Sequence, residues 1–354
     1  MSLHEDDDVH DPEAEDDIPF VLPQAEGEWV DHVALIRKEN LRLDMFMLTL
    51  LPDITRSLAQ KLIENGRVMV NDRIAKASTR IRHGDKLRFS PPPPQHPEPI
   101  AEEIPLDILY QDEFIAVINK PPNMVVHPAK GNWSGTLVNA LRFYFPKLSG
   151  INGDYRAGIV HRLDRDTSGA ILIAKEEGTH RDLSMMFETR KIFKEYATIA
   201  QGVLDRDSDY IEKRIMHHPT DRVRMITTDR DIPEARESVS FYEVAERFRG
   251  FTYVKFQPRT GRTHQIRVHL ASIGCPVLAD KLYGGRDQFK LSDLTDVPPE
   301  EDRVLLARQA LHAHRLRFLH PRLGKVMEFV APIPQEMEDT LQAMRRLRPW
   351  RPVK

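Results

Sequence analysis

Apolar and polar positions change rhythm several times along this 354-residue chain, and each change marks an element. Leu41-Arg42-Leu43-Asp44-Met45-Phe46-Met47-Leu48 spaces its apolar residues as one face of a helix, and the stretch from Thr55 to Ile63 repeats that spacing with Thr55 as N-cap. Gly66 stands where a C-cap belongs, and Val68-Met69-Val70 then alternates into the turn residues Asn71-Asp72. His83-Gly84-Asp85 predicts another turn before Lys86-Leu87-Arg88-Phe89. Further on, Ile108-Leu109-Tyr110 and Ile115-Ala116-Val117-Ile118 read as a hairpin around Gln111-Asp112-Glu113. Gly169 to Ala174 is a short continuous apolar run, the mark of a buried strand, and Thr252 to Phe256 alternates with period two. No regular βα repeat and no glycine-rich nucleotide loop occurs, so a dinucleotide-binding fold is disfavoured. The pattern predicts an α+β protein whose larger part is built on a mixed, largely antiparallel sheet. Residues 214–238 and 286–305 are charged and poorly patterned, and are expected to be surface insertions.

Charge divides the chain further. Residues 1–31 hold 12 Asp or Glu and no Lys or Arg, so the rest carries 51 basic against 42 acidic side chains although the whole is net −3. That acidic segment has too little apolar surface to offset the entropy of ordering, which predicts a disordered tail. Residues 32–90 form a small α/β domain with 12 basic and 6 acidic residues, and Arg42, Arg56, Lys61 and Arg67 are candidates for a phosphate-facing surface. Pro91 to Pro94 and the prolines at 97, 99 and 105 predict an extended linker over 91–104, leaving 105–354 as the large domain. A single cysteine, Cys275, excludes an internal disulfide and any multi-cysteine metal site. No apolar run reaches 18 residues and no basic-then-apolar leader is visible, so a soluble cytoplasmic protein without a membrane partner is expected.

The chemistry concentrates at His161-Arg162-Leu163-Asp164-Arg165-Asp166-Thr167-Ser168-Gly169, a charged loop running straight into the apolar strand. By itself the stretch reads equally as a surface turn or as a site. It resembles the HRLDxxTSG signature of the pseudouridine synthases that modify RNA, in the branch typified by the large-ribosomal-subunit enzymes. Other segments match that family in order: Asn119-Lys120-Pro121-Pro122-Asn123-Met124-Val125-Val126-His127-Pro128, Thr136-Leu137-Val138-Asn139-Ala140-Leu141, Gly158-Ile159-Val160, Lys194-Glu195-Tyr196-Ala197, the stretch from Arg259 to Leu270, and Arg308-Gln309-Ala310-Leu311-His312-Ala313-His314. Residues 32–90 are similar to the RNA-binding domain first named for small-subunit ribosomal protein S four. The resemblance implies the family's catalytic fold and an isomerase that flips a uridine out of RNA, breaks its glycosidic bond and rejoins it through carbon 5. It implies no cofactor and no metal, with large-subunit ribosomal RNA or its assembly precursor as the partner and no obligatory protein partner. The D type of large-subunit synthase is the most similar, with the C type next.

The same resemblance assigns roles. Asp164 is the catalytic carboxylate, Tyr196 the active-site tyrosine, and Arg267 the cation paired with Asp164, ahead of Arg262. Arg162 fills the space left by the flipped base or holds its phosphate, and His161, Arg262 and Lys120 join it on the substrate side. An arginine suits the pairing because it is permanently charged and holds ionised a carboxylate that burial would otherwise neutralise. Leu163, Ile173 and Val268 are expected as pocket walls or core. Two positions depart from the family: Ala157 stands between Arg156 and Gly158 where proline is usual, and Asn123 replaces a common glycine, asparagine being tolerant of left-handed angles. Two rival readings exist. A metal-dependent hydrolase would use some of His127, His161, His264, His269, His312 and His314, but His264 and His269 are five apart and no HExxH string occurs. A catalytically silent RNA-binding assembly factor would need only the first 90 residues.

Overall fold

The structure, a computed structural model, describes residues 29–34, 41–51, 54, 56–90, 99–129, 132–221 and 223–351. Most of the acidic tail, Thr55 and the proline run over 91–98 lie outside the described residues. The chain divides into two compact units after Glu98.

The first unit contains β1 (Val30–Val33), β2 (Leu41–Arg42), α1 (Leu43–Leu50), α2 (Arg56–Glu64), β3 (Val68–Val70), β4 (Arg73–Ile74), β5 (Arg80–Ile81) and β6 (Lys86–Phe89). Four strands form an antiparallel sheet in the order β1-β6-β3-β4, and β2 pairs with β5. The helix expected from Leu41 therefore starts two residues later, because Leu41 and Arg42 are taken by strand pairing. Leu43, Phe46 and Met47 of α1 meet Leu62 and Ile63 of α2 over Val68, Ile81 and Leu87. Gly66 caps α2 at φ 71°, with its own N–H donating to the Ile63 carbonyl and that of Arg67 to Leu62, the paired bonds of a left-handed C-cap. Asn71 and Asp72 both adopt positive φ and form the two-residue β3–β4 turn, a geometry these residue types tolerate.

The second unit runs through β7 (Asp107–Gln111), β8 (Ile115–Lys120), α3 (Leu137–Tyr144), β9 (Ser168–Ala174), α4 (Glu177–Glu188), β10 (Phe193–Gln201), β11 (Ser208–Glu212), β12 (Arg214–His217), β13 (Met225–Thr228), β14 (Val239–Phe248), β15 (Phe251–Pro258), α5 (Gln265–Ser272), β16 (Phe289–Lys290), β17 (Val304–Leu306), β18 (Leu311–Leu319), β19 (Val326–Val330) and α6 (Gln335–Leu347). Nine strands form one sheet, ordered β11-β14-β15-β10-β18-β9-β8-β7 with β19 beside β18, and every pairing is antiparallel except β18 with β9. The α+β architecture on a largely antiparallel sheet is thus present.

Strands β8 and β9 are apolar on both sides because both faces are covered. Ala116, Ile118, Ile171 and Ile173 pack with Leu137 and Leu141 of α3, while Ile115, Val117, Leu172 and Ala174 pack with Leu183 of α4. Thr136 caps α3 through a reciprocal pair of bonds with Asn139. Residues 99–104, expected within the linker, instead bind α3: Arg142 donates to the Pro99 carbonyl at 2.7 Å and Asn139 to that of Ile100 at 2.9 Å.

Both expected surface insertions carry core. In the first, β12 and β13 form a hairpin whose Ile215 and Met225 are buried against Val268 of α5. In the second, Phe289, Leu294 and Leu305 join the main core beside α6. Isolated apolar residues among charges leave no readable period, yet each of these side chains is buried.

Candidate active site

Loop 161–167 enters the centre of the sheet at Ser168, where β9 meets β18 through the pairs His312 with Ser168 and Ala313 with Gly169. Gly169 has φ 114°, and a Cβ there would lie 2.3 Å from the Ala313 carbonyl oxygen, so only glycine allows the two strands to approach. The loop is held from three sides. Arg308 donates to the Asp166 carbonyl at 3.0 Å and to Ser168 Oγ at 3.1 Å while pairing with Glu336. Gln309 donates to Thr167 Oγ1 at 2.8 Å, and Arg165 donates to Asn123 Oδ1 at 3.0 Å. Asn123 adopts φ 56°, the left-handed conformation its substitution for glycine anticipated.

Lys120, assigned to the substrate side by resemblance, has a different place. Its side chain is 0% exposed, and the ammonium donates to the carbonyls of Pro121, Met124 and Arg165 at 2.8, 2.8 and 3.0 Å. It therefore braces the loop from beneath. Burial pulls its pKa down to about 7 against the pull of Asp166 and Asp164. His161 is also turned inward: Leu172 N–H donates to its Nε2 at 2.8 Å and its ring stacks on Phe187 at 4.5 Å. Burial, helped by the charge of Lys194, lowers its pKa to about 3, so it is a neutral acceptor. Arg162, beside it, is exposed.

Asp164 projects toward α5. Arg267, the third residue of that helix, donates from Nη1 to Asp164 Oδ2 at 3.0 Å, and their side chains are 9% and 23% exposed. Among the described residues no hydrogen bond falls on the other Asp164 oxygen. Burial alone would raise the Asp164 pKa, but the charges of His264, Arg267 and Arg162 outweigh it and hold the carboxyl below its usual range. Tyr196 lies on β10 at a register shift against β18, within the field of Asp164. Burial and that anion push its phenol upward, so it is neutral at physiological pH, and no described residue bonds its hydroxyl. Arg262 precedes α5, and its guanidinium reaches the Glu237 carbonyl at 3.3 Å instead of Asp164.

The support of Arg267 is not visible in sequence. Asp280, 0% exposed, accepts from Arg267 Nε at 2.6 Å and Nη2 at 2.9 Å, and the ring of Tyr283 lies 5.1 Å from the guanidinium carbon. A lone acid after Val277-Leu278-Ala279 is the only trace of this in the chain. His264, with φ 53°, contacts the Tyr283 hydroxyl at 3.0 Å. Behind the helix, His269 is a neutral link between Ser238 and Ser240, and Gln265 bonds Thr260, Val239 and Ser240, which ties α5 to the start of β14. His312 accepts from Ser168 Oγ and donates toward the Ala331 carbonyl. His269 and His312 are spent on folding contacts.

The remaining candidates lie on the first unit. Arg42 and Arg56 both bond Asp44, a fully buried carboxylate that Gln60 also serves. Lys61 is exposed in the last turn of α2 and Arg67 half-buried just beyond it.

Known proteins and family models resemble this chain over most of its length. Residues 114–272 match the model of the RNA pseudouridylate synthase family, and residues 41–87 match that of the S4 domain. The chain is 38% identical over 317 residues to the uncharacterized RNA pseudouridine synthase YlyB of Bacillus subtilis, covering 90% of this chain and 98% of that protein. It is 41% identical over 303 residues to an uncharacterized RNA pseudouridine synthase of Aquifex aeolicus, covering 85% and 92%. To ribosomal large subunit pseudouridine synthase D of Salmonella typhimurium it is 38% identical over 312 residues, covering 86% and 90%.

Proposed function

The chain belongs to the RNA pseudouridylate synthase family, and from that premise we propose that it isomerises uridines of large-subunit ribosomal RNA, or of its assembly precursor, with Asp164 as the reactive carboxylate. The observation that carries the assignment of Asp164 is its one-sided ion pair: Oδ2 rests on Arg267 while Oδ1 has no bond among the described residues. An anion anchored by one oxygen and open at the other suits attack on a sugar or base placed beside it. Tyr196, neutral and without a described hydrogen-bond partner, offers a face for the uracil and a hydroxyl for moving a proton at carbon 5. The target nucleotide must leave its stack to reach this carboxylate, and we assign Arg162, exposed two residues away, to holding its phosphate or occupying the gap. Isomerisation needs neither net oxidation nor net hydrolysis, so these side chains suffice without a cofactor.

The substrate reading rests on the named relatives together with the S4 domain match over residues 41–87. Among the described residues no helix is long and apolar enough to cross a membrane. From the relatives named as large-subunit synthases we propose that the enzyme works in the cytoplasm with the assembling ribosome. The test maps pseudouridine at single-nucleotide resolution in the ribosomal RNA of a strain lacking the gene. Loss of specific large-subunit pseudouridines, restored by the wild-type gene and not by an Asp164→Asn allele, is the expected result. Restoration by the Asp164→Asn allele would favour a silent assembly factor instead.

A further inference from the structure

Tyr283 joins the β12–β13 hairpin to helix α5. Its hydroxyl accepts the backbone N–H of Met225, the first residue of β13, at 2.9 Å and contacts Nδ1 of His264, the N-cap residue of α5, at 3.0 Å. Two guanidinium groups lie against its ring, with the carbon of Arg267 5.1 Å and that of Arg224 5.7 Å from the ring centre. Arg267 is answered by the carboxylates of Asp164 and Asp280. Arg224 is answered by none: among the described residues no hydrogen bond or ion pair falls on its guanidinium, and its Nε is shut off from solvent without an acceptor. Arg214 of the same hairpin, by contrast, pairs with Asp231 and Glu237, each at 3.1 Å.

The position of Arg224 is fixed from its backbone outward. Its N–H donates to the Asp221 carbonyl at 3.1 Å, its own carbonyl accepts from His218 N–H at 2.8 Å, and the next residue, Met225, is buried with Ile215 against Val268 of α5. The side chain is half-buried, so its outer end is reachable from solvent. Stacking a cation on a tyrosine contributes less than a donor without an acceptor costs, so packing alone gives no reason for this placement. An anion does. The start of α5, which no side-chain hydrogen bond caps, favours negative charge beside the same tyrosine through its N–H groups and dipole. The phosphates on either side of a flipped uridine are attached to the reacting sugar itself, so they must lie close to the groups that surround Asp164. Resting on the reading of this chain as an RNA isomerase acting through Asp164, we propose that Arg224 is a phosphate-binding residue whose guanidinium, held on Tyr283, receives a phosphodiester next to the flipped uridine. The hairpin expected from sequence to be a surface insertion thereby completes the site.

The test uses the full-length protein in an Asp164→Asn background, so that binding is measured without turnover, and compares Arg224→Gln, which loses the charge, with Arg224→Lys, which keeps it. Filter binding to a large-subunit ribosomal RNA fragment carrying the mapped uridine is followed across salt. Arg224→Gln is expected to bind about 10-fold more weakly at moderate salt, with the slope of log affinity against log salt reduced by about 0.7 to 0.9, the share of one phosphate. Arg224→Lys is expected to keep the slope. An uncharged methylphosphonate placed on either side of the uridine locates the contact: at one of the two positions it weakens binding by the Arg224 protein and leaves Arg224→Gln unmoved. An unchanged slope in Arg224→Gln overturns the proposal, as does equal sensitivity of the two proteins at both positions. If Arg224→Gln does not fold, Arg224→Lys decides, because an ammonium does not reproduce the fork of a guanidinium: a smaller methylphosphonate effect at one position supports the contact, and equal effects at both sink it. Turnover of the same fragment by wild type tests the isomerase reading apart from this, since the salt slopes judge Arg224 without any catalysis.

Discussion

Two arginines near the start of α5 differ by five positions in sequence, and only one of them meets Asp164. Arg267 lies inside the helix, which Gln265 and His269 fasten to β14, whereas Arg262 lies in the approach to the helix with its Nε on a backbone carbonyl. Arg267→Ala leaves burial to act on Asp164 with less opposition, so the carboxyl pKa rises. With the ionised form as the reactive one, as proposed, the acid limb of the rate profile is expected to move to higher pH, with activity recovered on raising the pH. A loss that no pH recovers would show that Arg267 acts by placement. Asp164→Asn should abolish turnover with RNA affinity within a few-fold of wild type, measured by product formation and by filter binding. Gly169→Ala forces a Cβ against the Ala313 backbone, and a loss of about 3 kcal/mol is expected in urea unfolding. The family resemblance pairs Asp164 with Arg267 because both stand in local motifs, and the two side chains do meet. The resemblance puts Lys120 and His161 on the substrate side, yet each is bonded to backbone groups of its own fold, a fact that depends on which way a loop closes.

Short elements are legible where a single pattern runs uninterrupted, a continuous apolar run in β8 and β9 and a regular period in β15 and α2. The start of α1 shifts because β2 competes for Leu41 and Arg42. The hairpin β12–β13 and the pair β16–β17 escape because each buries only isolated apolar residues, too few to set a period. Buried Asp44 joins the two helices of the first unit. The hydrogen bond from Arg42, with those from Gln60 and Arg56, overcomes burial and holds its carboxyl well below the usual range. A carboxyl depressed in the folded state contributes stability that is present above its unfolded pKa of about 3.9 and is lost as pH falls through the folded value. Asp44→Asn is therefore expected to lower the stability of the first unit by about 1 to 3 kcal/mol at neutral pH, and to weaken the acid-induced loss expected of wild type. Thermal melts at pH 7 and pH 3 check both, and equal pH sensitivity of variant and wild type would count against Asp44 as the sensor.

At the scale of the molecule, each unit has its own apolar core, with Leu43, Met47 and Leu62 in one and the residues flanking the nine-stranded sheet in the other. A chain beginning at Pro99 is expected to fold and to keep residual activity at high RNA concentration. Its affinity for structured RNA should fall, and the slope of log affinity against log salt should flatten by about 0.7 to 0.9 for each phosphate that is no longer bound. An unchanged slope and unchanged site selection would remove the first unit as a reader of substrate. The fold class and the α2, β3 and β6 segments of the first unit are readable from sequence alone, since periodicity and turn chemistry act over a few neighbours. Tertiary structure alone decides that Asp280 holds Arg267 and that charged insertions bury Ile215 and Phe289. It also decides that Arg308 and Gln309 grip a loop about 140 positions earlier in the chain. A hydrogen bond or an apolar contact has a range of a few ångströms in space and no fixed range in sequence, so partners brought together by the sheet leave no period behind them.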